Sequence, residues 1–186
     1  LDLADLKKDG RQLYYIEDGK KIGIEKIYNR VIFDELEKRK DIVSEFNFKD
    51  EVDVEWIGHP NWFFKISKYT MPFIRNNPYI PETRFLNTIQ HIPEDLENFV
   101  LKPLFSFSGE GVKFHVTKKD IEGVKDPENW ILQEKVNYYP AIKTPNPDEP
   151  VKFEIRMMHT WEQGAPAPLL VNNLIRLSKG DMVGVK

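Results

Sequence analysis

The sequence has no cysteine, which excludes disulfide bonds and thiolate metal sites and is typical of a reducing compartment. It has no basic excess either, since 27 Lys and Arg stand against 30 Asp and Glu and the net charge is −3. That balance argues against a nucleic-acid partner. No apolar run approaches the length of a membrane-spanning helix, about 20 residues. We therefore expect a soluble, cytoplasmic protein that binds neither nucleic acid nor membrane.

The first residues, LDLADLKKDG, also lack the basic and apolar regions of a secretory signal peptide. The chain begins at Leu1 without a methionine and stops at Lys186, directly after the apolar run 182–185. We interpret these ends as those of a fragment, or of a chain whose tails are not included. Apolar residues make up 40% of the 186 residues, enough for the core of one domain or of two small ones.

Hydrophobic periodicity in the first part of the chain predicts short strands and helices. Two alternating runs flank a turn that contains Asp18 and Gly19, a pair typical of tight hairpins. The longest predicted helix has Asn61 as its cap and Ile66 on its inward face, and it should kink or end at Pro72. The predicted elements are strands over 12–16, 22–28 and 52–57 and helices over 31–39 and 61–75.

From residue 98 onward, apolar residues recur at every second position, as in β-strands. The segment 163–168, QGAPAP, is predicted to close a hairpin. Mixed elements followed by antiparallel strands predict an α+β fold. The predicted strands are 98–104, 112–116, 130–136, 152–161 and 169–178.

The stretch 99–116, FVLKPLFSFSGEGVKFHV, joins two predicted strands through a loop of serine and glycine. It lacks the P-loop motif, and Phe114 stands where the dinucleotide-binding fingerprint has its third glycine. Such a loop can present consecutive N–H groups to a phosphate. By itself, however, the loop favours an ordinary hairpin turn, because glycine turns are common.

Lys102 lies in the strand that precedes this loop. It alternates with Val100 and Leu104, so its side of the strand is expected to be at least partly covered. A covered ammonium group needs an anionic partner. A glutamate and a ligand phosphate would both serve, and the residues alone leave the two open.

Two arginines in the last predicted hairpin are a further candidate for anion binding. If the runs 152–161 and 169–178 pair, Arg156 and Arg176 lie on the same side of the sheet, and Glu154 and Asn172 are expected to join them. Two arginines and a lysine would suit a triphosphate. The alternative is a cross-strand Glu154–Arg176 ion pair worth less than about 1 kcal/mol. The sequence does not separate these two possibilities.

The segment 130–136, WILQEKV, combines apolar residues with Gln133 and Glu134 at its end. A purine needs backbone donors and acceptors at a strand end beside an apolar slot, and a carboxylate suits a ribose diol. A plain edge strand would look the same. The four histidines show no metal-ligand spacing, so we interpret them as structural or surface residues.

Six segments carry a resemblance when they are taken in order: ISKYTMPFI, YIPETRFL, FVLKPLFSFSGEGV, WILQEKV, FEIRM and LIRLSKGDMVGV. Together they resemble the ATP-grasp superfamily of carboxylate–amine ligases. The resemblance covers roughly residues 59–186. It implies an ATP-grasp fold with an antiparallel β region flanked by helices, preceded by part of an α/β domain over 1–58. The first ATP-grasp subdomain would span 59–136, with the phosphate loop and hinge, and the second would begin at 137–186.

The resemblance also implies a role for each site residue. Lys68 and Lys102 would contact the phosphates of ATP, and Arg156 and Arg176 would be catalytic by stabilising the transferred phosphoryl group. The mobile loop over the phosphates and the adenine hinge would supply Ser106, Ser108, Gly109, Gly111, Gln133, Glu134 and Val136.

The chemistry implied is the joining of a carboxylate to an amine through an acyl phosphate, with ATP and Mg²⁺ as cofactors and a small molecule or peptide as substrate. The usual metal ligands are not found before Lys186, so no metal-binding residue is assigned, and Glu154 is a poor substitute. The alternatives are a non-catalytic ATP-binding or scaffold module that keeps the fold and, more remotely, a kinase-like phosphotransferase.

Overall fold

The computed structural model describes residues 1–106, 109–139, 141–146 and 151–180. The chain divides into two compact units, one spanning Leu1–Ile74 and Leu104–Phe107, the other Arg75–Pro103 and Ser108–Lys186. Short helices and mostly antiparallel sheets make this a mixed α+β protein, as predicted. The domain boundaries predicted at residues 58 and 136 stay a prediction.

The first unit begins with a three-stranded antiparallel sheet of β1 (Lys7–Asp9), β2 (Gln12–Glu17) and β3 (Lys20–Gly23). The turn between β2 and β3 places Asp18 at φ 49° and Gly19 at φ 73°. Positive φ at both central residues matches the right-handed twist of the flanking strands, so this turn stabilises the hairpin. The predicted hairpin is confirmed, although the run 22–28 is divided between two sheets.

The second part of that run, β4 (Lys26–Tyr28), pairs in parallel with β5 (Glu55–Ile57). The helix α1 (Phe33–Lys38) lies in the connection, inside the predicted segment 31–39. Gly58, at φ 80°, follows β5. Neighbouring rings with centroids 5.0 to 6.4 Å apart form an aromatic cluster in this unit, made of Phe33, Phe46, Phe48, Trp56 and His59.

The single helix predicted over 61–75 is wrong. The structure has a 3₁₀ turn at Pro60–Trp62, the short helix α2 (Phe63–Ile66) and a 3₁₀ helix at Lys68–Phe73. The N-cap of α2 is Trp62 and not Asn61, and the cap of the second 3₁₀ helix is Ser67, whose side chain accepts a hydrogen bond from the N–H of Tyr69 at 3.2 Å. Pro72, inside the second 3₁₀ helix, lacks the N–H that a continuous α-helix requires. Ile66, expected to face inward, is 80% exposed.

The second unit is built on an antiparallel sheet in which β8 (Trp130–Glu134) lies between β6 (Thr83–Phe85) and β7 (Phe99–Pro103). The predicted strands 98–104 and 130–136 are thereby confirmed. The strand predicted over 112–116 is wrong: only Lys113 pairs there, in a single bridge to Leu101. After it, α3 (Lys118–Glu122) begins at a capping box of Thr117 and Asp120.

The two faces of this sheet differ. One face packs into the core, where Leu101 and Leu132 lie opposite each other and contact Leu86 and Val116. Because successive side chains of a strand point to opposite faces, the other face carries Thr83, Val100, Lys102, Ile131 and Gln133. On this face Gln133 lies opposite both Thr83 and Val100, and Lys102 lies opposite Ile131.

The predicted hairpin at the end of the chain is confirmed. The strands β9 (Lys152–Thr160) and β10 (Leu169–Ser178) pair in antiparallel register. Strict alternation along 169–178 would put Leu170 and Asn172 on one face, but a register shift between them places Leu170 opposite His159 and Asn172 opposite Met158, on different faces. In the part of the chain that the structure describes, no helix is long and apolar enough to cross a bilayer.

Candidate functional site

Lys102 on β7 is half-buried, as its alternation with apolar residues predicts. Its Nζ donates a hydrogen bond of 2.5 Å to Oε1 of Gln133 on β8. Gln133 is the diagonal cross-strand neighbour of Lys102, within reach of a long side chain. Burial lowers the pKa of the Lys102 ammonium below the ordinary lysine value, because the charged form loses solvation.

The hydrogen bonding continues from Gln133 into β6. Nε2 of Gln133 donates to Oγ1 of Thr83 at 2.8 Å, and Oγ1 of Thr83 donates to the main-chain oxygen of Pro81 at 3.0 Å. Gln133 and Thr83 are each only 6% exposed. They are therefore buried polar groups that are hydrogen-bonded to each other and to further groups of this network.

The partner of Lys102 resolves one of the alternatives left by the sequence. Among residues 1–106, 109–139, 141–146 and 151–180, no carboxylate forms an ion pair with Lys102. Its described partner is instead the neutral amide of Gln133. The glutamate partner is thus not found in the described chain, and the charge of Lys102 is solvated by a dipole rather than neutralised.

The phosphate-loop candidates lie in different parts of the structure. In the first unit, Nζ of Lys68 donates to Oγ of Ser106 at 2.7 Å, so these two predicted site residues are brought together. The rings of Phe64 and Phe105 pack edge to face nearby in the chain, at 5.6 Å. Ser108 lies outside the described residues.

The glycines of the loop have backbone conformations that favour glycine. Gly109 has φ 82° and Gly111 has φ 73°, both in the left-handed region. A Cβ atom at Gly111 would lie 3.1 Å from Cγ of Pro103, the last residue of β7. The chain therefore returns closely over the end of the strand that carries Lys102, and a side chain at residue 111 would hinder this approach.

The predicted adenine hinge is only partly available to a ligand. The Gln133 side chain points to Lys102 and Thr83, and the N–H of Glu134 donates to the oxygen of Glu82 at 2.9 Å. The carboxylate of Glu134 accepts from the N–H of Glu82 at 3.2 Å. Val136 is 52% exposed, and its main chain makes no hydrogen bond to any described residue. Gln133 and Glu134 are thus engaged by other residues of the sheet, whereas Val136 has no main-chain partner among the described residues.

The arginines of the last hairpin share one partner. Arg176 lies directly opposite Glu154, and its Nε donates to Oε1 of Glu154 at 2.6 Å. Nη2 of Arg156 lies 3.8 Å from the same oxygen. The prediction that Arg156 and Arg176 lie on one side of the sheet is confirmed, with Asn172 on the same side. The cross-strand ion pair that the sequence left open is also present.

The structure therefore forms three groups from the predicted site residues: Lys68 with Ser106, Lys102 with Gln133, and Arg156 with Arg176. Thr83 was missed. The sequence signal that could have identified Thr83 is its position in YIPETRFL, at the start of a short strand. A cavity of about 560 Å³ lies elsewhere, in the first unit, and its lining includes none of the predicted site residues. We favour the surroundings of Lys102 over this cavity as the site, because a partly desolvated cation needs an anion.

Metal ligands are a separate question. Within the described ranges, no group of three or more His, Cys, Asp or Glu side chains comes together, and no metal-binding residue is assigned. Comparison of the chain with known protein-family models, with curated proteins and with solved structures gives no match.

Proposed function

We propose that this chain binds ATP at the sheet face that carries Lys102 and acts as an ATP-grasp ligase, joining a carboxylate to an amine. The observation that carries the proposal is the half-buried ammonium of Lys102, bonded to the neutral Gln133 and paired with no carboxylate of the described chain. An anion supplied by a ligand would replace the solvation that burial removes.

A phosphate group fits this position better than a weaker anion. It brings multiple charges and several acceptor oxygens, and charge-assisted hydrogen bonds to an ammonium are among the strongest in proteins. The loop after β7 adds Gly109 and Gly111, whose left-handed conformations are those in which successive N–H groups can form an anion-binding concavity. Lysine and loop are adjacent along the chain, which supports a common ligand.

The proposed reaction has two steps. A carboxylate oxygen of the substrate attacks the γ-phosphorus of ATP, and the bond to the bridging oxygen breaks to give an acyl phosphate and ADP. An amine then attacks the acyl carbon, loses a proton and displaces inorganic phosphate, leaving an amide. In this proposal Arg156 and Arg176 compensate the charge that develops on the phosphoryl group, and the substrate is a small molecule or peptide of the cytoplasm.

The second candidate is a non-catalytic ATP-binding or scaffold module. The engagement of both arginines by Glu154 favours it, because that carboxylate already compensates part of their charge. Hydroxylamine separates the two candidates, since it converts an acyl phosphate to a stable hydroxamate. ADP and hydroxamate should form from ATP and a carboxylate mixture for a ligase, and neither should form for a binding module.

Nucleotide binding itself is tested by titration calorimetry with ATP. Lys102→Met keeps the aliphatic stem but removes the charge, and we expect a loss of about tenfold or more in affinity, the scale of one charge-assisted contact. The control is Lys125→Met at an exposed lysine, which should bind ATP like the unaltered protein. Equal affinity for all three proteins would contradict the proposal.

A further inference from the structure

The direction of every hydrogen bond around Lys102 is determined by the chemistry of the groups at the two ends. An ammonium group only donates, and a main-chain carbonyl only accepts. The network runs from Nζ of Lys102 to Gln133, from Gln133 to Thr83, and from Thr83 to the oxygen of Pro81. All its donors therefore point the same way along the sheet.

This polarity fixes the orientation of the Gln133 amide. Because the hydroxyl proton of Thr83 is used by Pro81, its oxygen is left to accept from Nε2 of Gln133. The amide oxygen is then the atom that faces Lys102. The opposite orientation would set the NH₂ group against the ammonium and would leave donors facing donors at a buried position.

We propose that Gln133 and Thr83 are positioning residues that hold Lys102 at the sheet face while leaving its charge uncompensated for a polyphosphate. This inference rests on the proposed nucleotide site. A carboxylate at residue 133 would hold the ammonium equally well but would form an ion pair with it. The neutral amide combines a fixed position with a charge that remains available to the ligand.

The proposal assigns different effects to three substitutions. Gln133→Glu places a carboxylate against Lys102 and should weaken binding of ATP and of tripolyphosphate by about tenfold or more, because one charge-assisted contact is lost. Thr83→Val removes the acceptor that orients the amide and should weaken binding by about fivefold. Thr83→Ser keeps the hydroxyl and should bind like the unaltered protein.

A measurement without ligand tests the contact separately. The pH dependence of acetylation by acetic anhydride, followed by mass spectrometry of the peptide that contains Lys102, reports the ionisation of this lysine. Gln133→Glu should move the half-reaction of Lys102 to higher pH, because a facing carboxylate favours the charged amine. Lys125 should not change, and circular dichroism verifies that each variant is folded.

The outcomes are distinct. An unchanged titration of Lys102 in folded Gln133→Glu overturns the positioning inference, whether or not the affinity of this variant for ATP changes. If Gln133→Glu does not fold, a Thr83→Val protein with unaltered affinity for tripolyphosphate overturns it as well. A shifted titration in Gln133→Glu without a change in the affinity of any variant would leave the contact intact and refute the nucleotide site instead.

Discussion

Nζ of Lys102 donates a 2.5 Å hydrogen bond to Oε1 of Gln133, across two neighbouring strands and 31 residues of sequence. The contact joins a cation that burial has partly desolvated to a neutral group that is itself buried. The amide dipole of Gln133 compensates the charge of the ammonium less than a carboxylate would. This position should therefore bind an added anion.

ATP affinity should therefore depend on the ionisation of Lys102. Burial lowers its pKa in the free protein, and a bound phosphate raises it again, so binding takes up a proton where the free lysine is partly deprotonated. Affinity then falls as the pH rises through the free-state pKa. Above roughly pH 8 the phosphate groups of ATP are already ionised, since their last pKa lies near 6.

Calorimetry in two alkaline buffers with different ionisation enthalpies measures this uptake. The observed enthalpy of ATP binding should differ between the two buffers for the unaltered protein and should be the same in both buffers for Lys102→Met. A difference that is equally large in Lys102→Met would assign the proton to another group.

Low pH should break the Arg39–Asp41 ion pair of the first unit by protonating the Asp41 carboxylate. Two hydrogen bonds from the guanidinium, of 2.8 and 2.7 Å, lower the pKa of the Asp41 carboxyl from 3.8 to about 2. The folded pKa lies below the unfolded one, so this stabilisation is fully present above pH 3.8 and is lost as the pH falls towards 2. Carboxyl ¹³C NMR of Asp41 gives the titration directly.

Arg39→Gln should return that titration towards the ordinary aspartate value, and added salt should have a similar but smaller effect because both groups are exposed. An Asp41 that titrates near 3.8 in the unaltered protein would show that the pair does not form in solution.

The core of the second unit should be sensitive to truncation at Leu101. This side chain is 1% exposed and packs in the cluster with Leu132. Leu101→Ala removes buried apolar contacts and should cost about 2–5 kcal/mol of unfolding free energy, measured by urea denaturation. The same change at Leu177, which is 55% exposed, should cost less than about 0.5 kcal/mol. Equal losses of unfolding free energy in Leu101→Ala and Leu177→Ala would show that Leu101 is not part of the core.

Gly111 should resist substitution for two reasons. Its φ of 73° is unfavourable for a residue with a side chain, and the added Cβ would lie 3.1 Å from Cγ of Pro103. Gly111→Ala should destabilise the unit by about 1–2 kcal/mol and should also weaken ATP binding. Gly23→Ala is the control, because a Cβ there meets nothing within 4 Å. Equal melting temperatures for Gly111→Ala and Gly23→Ala would contradict the loop geometry.

Sequence patterns predict those parts of this fold that are long and strictly periodic. The strands β9 and β10 extend over nine and ten residues, and their alternation was sufficient to place them and their hairpin. The prediction of one helix over 61–75 was wrong because the apolar spacing suits a helix, while Pro72 and the cap at Ser67, which accepts a hydrogen bond from the N–H of Tyr69, divide the segment into shorter turns. In 112–116, alternation alone was not enough, since only Lys113 finds a strand partner.

The candidate site was predictable to a similar extent. Alternation with Val100 indicated correctly that Lys102 lies on a covered side of its strand. Its partner Gln133 and the supporting Thr83 are 31 and 50 residues from the groups they contact. Such contacts depend on which strands become neighbours, and the order β6-β8-β7 is a tertiary property that periodicity does not contain.

The central claim is that the phosphates of ATP lie beside Lys102, and an acyl-phosphate derivative of ATP tests it most directly. Such a probe transfers its acyl group to a lysine amine next to the bound phosphates, and mass spectrometry of the digested protein identifies that lysine. The account predicts acylation of Lys102, suppressed by excess ATP. Acylation confined to exposed lysines such as Lys125, with no protection by ATP, would contradict it.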